Sequence, residues 1–176
     1  MRRIARRRAF PRRRRPPRRK RSKPSSTALA LMPVTSRSAR RRRGGGDLLF
    51  HEACQKRGVR CRVLLPFDEA QFIDKSVASS AGGDKWRDRF YAMKQKLADP
   101  IRIMPDELGP APMNTDPFER CNLWLLYSAL ACGIDKLRFV TLWDGRGGDG
   151  PGGTAHMYDE VKKRTGRVTW LDMRTL

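Results

Sequence analysis

From residue 47 onward, two rhythms of apolar and polar positions alternate along this 176-residue chain. DLLFHEACQKRG (47–58) carries the three-to-four spacing of an amphipathic helix. It predicts Leu48, Leu49, Phe50 and Ala53 on the buried side and an end at Gly58. VRCRVLLPF (59–67) is a β-rich run long enough for one strand and stopped by Pro66. The stretches 68–79 and 84–97 read as two amphipathic helices broken at Gly82-Gly83, and IRIMP (101–105) reads as a short strand. TDPFERCNLWLLYSALACG (115–133) is the clearest helix, with Asp116 as N-cap, Pro117 in the first turn, Glu119 three residues after the cap and Gly133 at the end. Its middle is apolar nearly all round, which predicts deep packing. LRFVTLW (137–143) is a strand, TAHMYDEVKKRTG (154–166) a polar-faced helix and RVTWLDM (167–173) a final strand.

Strands and helices that alternate, with connections too long for hairpins, predict βαβ units. The expected fold is therefore α/β, a three-layer Rossmann-like parallel sheet with flanking helices. Four strands follow Asp47. A helix starting after Gly44-Gly45-Gly46 should itself follow a strand, and ALALMPV (28–34) is the upstream candidate.

Charge divides the chain in two. The formal net charge is +21, yet residues 1–46 hold 17 Arg and 2 Lys without an acidic residue, so residues 47–176 carry only +2. Residues 1–43 read as a disordered Arg-rich arm, too poor in apolar groups to offset the entropy of ordering, and residues 44–176 as the domain. The arm suits nucleic-acid binding through phosphate neutralisation or a targeting role. Its excess of Arg over Lys, with Pro, Ala and Gly, is also what a GC-rich strand yields from a start placed too early or in a shifted frame.

Cys54, Cys61, Cys121 and Cys132 show neither zinc-site spacing nor a C-x-x-C pair. Cys54, Cys121 and Cys132 sit in apolar helical patterns and read as reduced core residues, which implies a cytoplasmic location. No apolar run approaches the ~20 residues of a membrane span, so no membrane partner is expected. Residues 28–34 are too short, and interrupted by Pro33, to serve as a signal-peptide core.

Two glycine-rich stretches stand where a strand hands over to a helix: GGGD (44–47) and DGRGGDGPGGT (144–154). Helix N-termini present unsatisfied N–H groups and partial positive charge, and glycine lets an anion approach the main chain. Thr154 can act as N-cap and as a hydroxyl donor. Neither stretch matches a dinucleotide or P-loop fingerprint, because no lysine follows the glycines.

GGDLLFHEAC, LLPF, ERCNLWLL and WDG…GDGPGGTA together resemble the Rossmann-like domain found at the C-terminal end of bacterial multidomain signalling proteins. That domain is similar to the SLOG superfamily, with its LOG-type phosphoribohydrolases and Smf-type DNA-processing proteins. The resemblance covers residues 44–176. It implies a pocket for a nucleotide or nucleotide-derived ligand, with Gly152, Gly153 and Thr154 at the phosphate and Gly45, Gly46 and Asp47 on the neighbouring loop. Asp144, Gly145, Asp149 and Gly150 complete the expected binding set. LOG enzymes carry P-G-G-x-G-T-x-x-E. Here Met157 stands three residues after Thr154, and Glu160, six after it, is expected to face solvent.

Asp144 and Asp149 can hold a phosphate-bound Mg²⁺ or a ribose hydroxyl, although carboxylates in such loops also cap turns. His51 and His156 are candidates for the pocket mouth, Asn122 for a base edge and Trp143 for base stacking. Glu119 is expected to complete a capping box and Arg120 to be solvated. The functional expectation is a cytosolic sensor or regulatory domain, compatible with a homo-oligomer. Hydrolysis of the phosphoribohydrolase type and nucleic-acid binding through residues 1–43 are the alternatives.

Overall fold

A computed structural model describes residues 27–29, 46–78, 82–145, 150, 152–172 and 174–175. Most of the arm, Gly44, Gly45 and Asp149 lie outside the described residues. The elements run β1 (Thr27–Leu29), α1 (Gly46–Lys56), β2 (Arg60–Arg62), β3 (Leu64–Leu65) and α2 (Glu69–Phe72), which passes into a π-helical turn (Ile73–Ala78). They continue with α3 (Gly83–Lys94), β4 (Arg102–Ile103), α4 (Met104–Leu108), α5 (Pro117–Leu130), a 3₁₀ turn (Ile134–Lys136), β5 (Phe139–Trp143), α6 (Thr154–Thr165) and β6 (Val168–Asp172).

The fold is α/β, and each strand ladder is parallel: β1 with β2, β3 with β4, and β5 with β6. Only Val63 separates β2 from β3, and its carbonyl accepts the Arg102 N–H at 3.0 Å, so residues 60–65 act as one strand. Extending the β4 register back by two residues puts Pro100 opposite Arg62, a place Leu29 already holds in the other ladder. This strand thus pairs with β1 along its first half and with β4 along its second, and the pairings among the described residues make three two-stranded sheets.

Both faces of that strand are covered, as expected of parallel strands rich in Val and Leu. Val63 and Leu65 point into a cluster with Leu48 of α1, Phe72 and Val77, and Phe90 and Met93 of α3. Leu64 points the other way, against Met104 and against Cys121 and Leu125 of α5. A third cluster joins Leu126 of α5 to Leu137, Met157 and Val161, with Phe139 and Val168 packed on it. Helix α5 thus ties the central strand to the β5–β6 unit.

Several local expectations need correction. On α1 the buried stripe is Leu48, His51 and Cys54, whereas Leu49 and Phe50 are exposed. The stripe follows the i, i+3 spacing, and an imidazole takes the place an apolar residue was expected to fill. IRIMP is a strand only at Arg102 and Ile103. Pro105, its φ set for a first helical turn, starts α4 instead, with Asp106 and Glu107 favouring that helix end. Helix α5 buries one side through Cys121, Asn122, Leu125 and Leu126, while Tyr127 is exposed. Arg120, expected to be solvated, is half-buried: it donates to the carbonyls of Gly109 and Leu108 at 3.0 and 2.9 Å, closing the end of α4.

No helix among the described residues is long and apolar enough to cross a membrane.

Candidate functional site

The loop between β5 and α6 is built against the first turn of α5. Asp116 caps α5 as its sequence demands, its Oδ1 accepting the N–H groups of Phe118 and Glu119 at 2.8 and 3.4 Å. That cap fixes where the Glu119 backbone lies, and Gly152 is pressed onto it. A Cβ added to Gly152 would stand 2.7 Å from Glu119 Cα and 2.8 Å from its nitrogen. Gly152 also has φ +82, a conformation that favours glycine.

Two side chains hold the same residue by its main chain. Asn122, buried on α5, donates from Nδ2 to the Gly152 carbonyl at 2.8 Å. His156 Nδ1, one turn into α6, accepts the Gly152 N–H at 2.9 Å. Gly153 N–H donates to the Gly150 carbonyl at 3.0 Å, and Gly152 and Gly153 are both buried. The loop is therefore a clamped turn that presents the start of α6. The N-cap of α6 is Gly153, not Thr154, which lies inside the first turn. No side chain caps this helix, and its first N–H groups carry the partial positive charge of a helix start.

The second glycine stretch arrives at the same strand. Gly46, the first residue of α1, packs on β5: a Cβ there would lie 3.5 Å from Leu142 Cδ2. The next residue, Asp47, retains some exposed surface as a whole, but its Oδ2 is shielded and has no hydrogen-bond partner. Burial pushes its carboxyl well above the usual carboxylate range.

The far side of the loop is aromatic. Trp170 covers Gly145, its ring atom Cζ2 2.7 Å from where a Cβ would stand, and its Nε1 donates to the Trp143 carbonyl at 2.8 Å. Trp143, the candidate stacking ring, is already packed against Trp170 and Tyr158, with centroids 5.9 and 6.3 Å away. Asp144 follows it, and its charge adds to the stronger hold of Asp172 on Arg174. Among the described residues no group of three or more His, Cys, Asp or Glu is placed to hold a metal ion.

The remaining candidates are structural. His51 is fully buried in the core stripe of α1 and does not reach a pocket mouth. Glu160 is not solvent-facing. Its side chain, 18% exposed, pairs with Arg164 and Lys163, and the Arg164 guanidinium holds its carboxyl below the usual range. Asn122 and His156, candidates for a base edge and the pocket mouth, meet the loop. The signal for Asn122 was a polar residue among the apolar positions of α5.

The thiols divide cleanly. Cys54, Cys61 and Cys121 are buried, whereas Cys132 lies exposed just past α5, contrary to its expected place in the core. Burial pushes Cys121 up to about 12 and Cys61, helped by neighbouring Cys54, up to about 11. Titration of the native protein with a thiol reagent at pH 8 should therefore modify Cys132 at once. The other three should react only with unfolding. Rapid reaction at Cys121 would contradict the α5 packing.

Two shallow surface concavities of 350 and 530 Å³ lie beside Leu97 and Ala98, at the amino ends of β2 and β4. They share no residue with the glycine loops and sit at the end of the strands where parallel α/β folds do not bind their ligands. No family model, curated protein or solved structure matches this chain.

Proposed function

We propose that residues 44–176, joined by β1 from upstream, form a three-layer Rossmann-like domain that binds a nucleotide or nucleotide derivative as a cytoplasmic sensor. The carrying observation is the contact of Gly46 with Leu142. It brings the start of α1 to the carboxyl end of β5, the strand whose following loop leads into α6. With strands ordered β4, β2–β3, β1, β5, β6, the winding reverses between β1 and β5. The division of helices supports that order, with α1 and α3 on one face of the central strand and α5 on the other. Open α/β sheets bind ligands in the crevice at this switch point.

Two helix starts converging there frame the site, and the uncapped N–H groups at the start of α6 suit an anion. The phosphate lies at Gly153 and Thr154, on a turn already held in shape by Asn122 and His156. Binding without turnover is supported by Glu160, the carboxylate that a phosphoribohydrolase reading would recruit, because it is engaged by Arg164.

A thermal-shift panel of ribonucleoside mono- and diphosphates tests the reading. A ligand at about 100 times its Kd should stabilise the protein by about 2.7 kcal/mol and be recovered unchanged. Absence of any shift across the panel would remove the binding reading, and release of free base would replace the sensor with an enzyme.

A further inference from the structure

Among the described residues, Asp47 Oδ2 and Ser76 Oγ are buried polar atoms without a hydrogen-bond partner. Buried polar groups are nearly always satisfied, and each exception calls for an explanation. A carboxylate in the first turn of α1 suits the helix dipole, but that does not explain why one of its oxygens is shut away from water. Ser76 is 5% exposed and sits in the π-helical turn, a distortion found often at functional sites.

The helix directions carry both residues toward one end of the α1–α3 pair. Helices α1 and α3 run parallel, since Glu52 meets Arg89 and Gln55 meets the Met93 carbonyl. Their starts, Gly46 and Gly83, are therefore level with each other. Helix α2 runs back against α3, because Glu69 at its beginning meets Lys94 at the end of α3. Ser76 is thereby carried toward the starts of α3 and α1. The side chains next to the two orphans, Leu48 and Val77, belong to one buried cluster.

The chemistry selects what can satisfy both. A phosphate only accepts hydrogen bonds and is repelled by an ionised carboxylate, so the anionic part of a ligand belongs at α6 and not beside Asp47. A hydroxyl donates to a carboxylate, and it can donate to or accept from a serine. A vicinal diol supplies two such groups at once. We infer that Asp47 and Ser76 form the sugar side of the pocket and recognise the 2′ and 3′ hydroxyls of a ribonucleotide. This rests on the nucleotide reading above and adds an orientation to it, with phosphate toward α6 and ribose toward α1.

The test compares ribonucleoside 5′-diphosphates with their 2′,3′-dideoxy counterparts by calorimetric titration of the full-length protein. The wild type should bind the ribonucleotide about tenfold more tightly, the value of one hydrogen bond to a charged buried group. Asp47→Asn and Ser76→Ala should each cut that preference to about threefold or less. Ligand-free Asp47→Asn should melt no lower than wild type, since the buried carboxylate it removes has no partner. Equal affinity for the two ligand types, or a preference that survives both substitutions, overturns the inference and leaves nucleotide binding intact. If neither ligand type binds, the nucleotide reading falls and takes the inference with it.

Discussion

Gly152→Ala is expected to destabilise the fold by about 2–5 kcal/mol and to abolish nucleotide binding. Part comes from the backbone, because forcing an L-residue into the left-handed region costs about 1–2 kcal/mol. The remainder comes from crowding, about 1–3 kcal/mol for an overpacked site. The methyl group would meet the Glu119 Cα and nitrogen at 2.7 and 2.8 Å, main-chain atoms fixed by the Asp116 cap, so no rotamer change can relieve the contact. Gly150→Ala provides the control within the same loop. Its φ of +85 is similar, but nothing lies within 4 Å of the added carbon, so only the backbone cost of about 1–2 kcal/mol should appear. Denaturant unfolding of both variants, followed by far-ultraviolet circular dichroism, measures the difference. Equal losses would show that the α5 contact does not constrain the loop.

Asn122→Ala is the second large effect. It removes the 2.8 Å hydrogen bond to Gly152 and leaves that carbonyl without its donor on a buried residue. A lost partner of this kind costs about 1–3 kcal/mol. Because Asn122 holds the turn and does not touch the ligand, its removal should weaken nucleotide affinity by about tenfold rather than eliminate it. The double variant with Gly152→Ala should be less destabilised than the two single losses combined, since both act on one contact. Full additivity would mean that the two residues support the loop independently.

What was legible in the sequence follows the range of the interactions. The start of α5 was readable from Asp116 and Pro117 because a cap is satisfied within three residues. The end of α6 at Gly166, in the left-handed conformation, is equally local. Parallel pairing was legible from the alternation of strands and helices, and the glycine loops from composition. The role of Asn122 was not, because its partner lies 30 residues away, and nothing in ERCNLWLL distinguishes a clamp from a base reader. Arg120 was misjudged for the same reason, its acceptors being 11 and 12 residues back. IRIMP carries an apolar run too short to separate a strand from a helix start, and Pro105 decided it. Ser76 gave no signal at all, since an orphaned hydroxyl exists only once the chain has folded around it.

The central claim is that the starts of α1 and α6 converge at the end of β5 to form one nucleotide site. Amide chemical-shift mapping of the full chain tests it most directly, with a ribonucleoside diphosphate titrated into ¹⁵N-labelled protein. The largest shifts should fall on Gly46, Asp47, Gly153 and Thr154, saturating together at one affinity. Shifts confined to Lys96, Leu97 and Ala98 at the opposite end of the strands, or to the arginine segment alone, would contradict it.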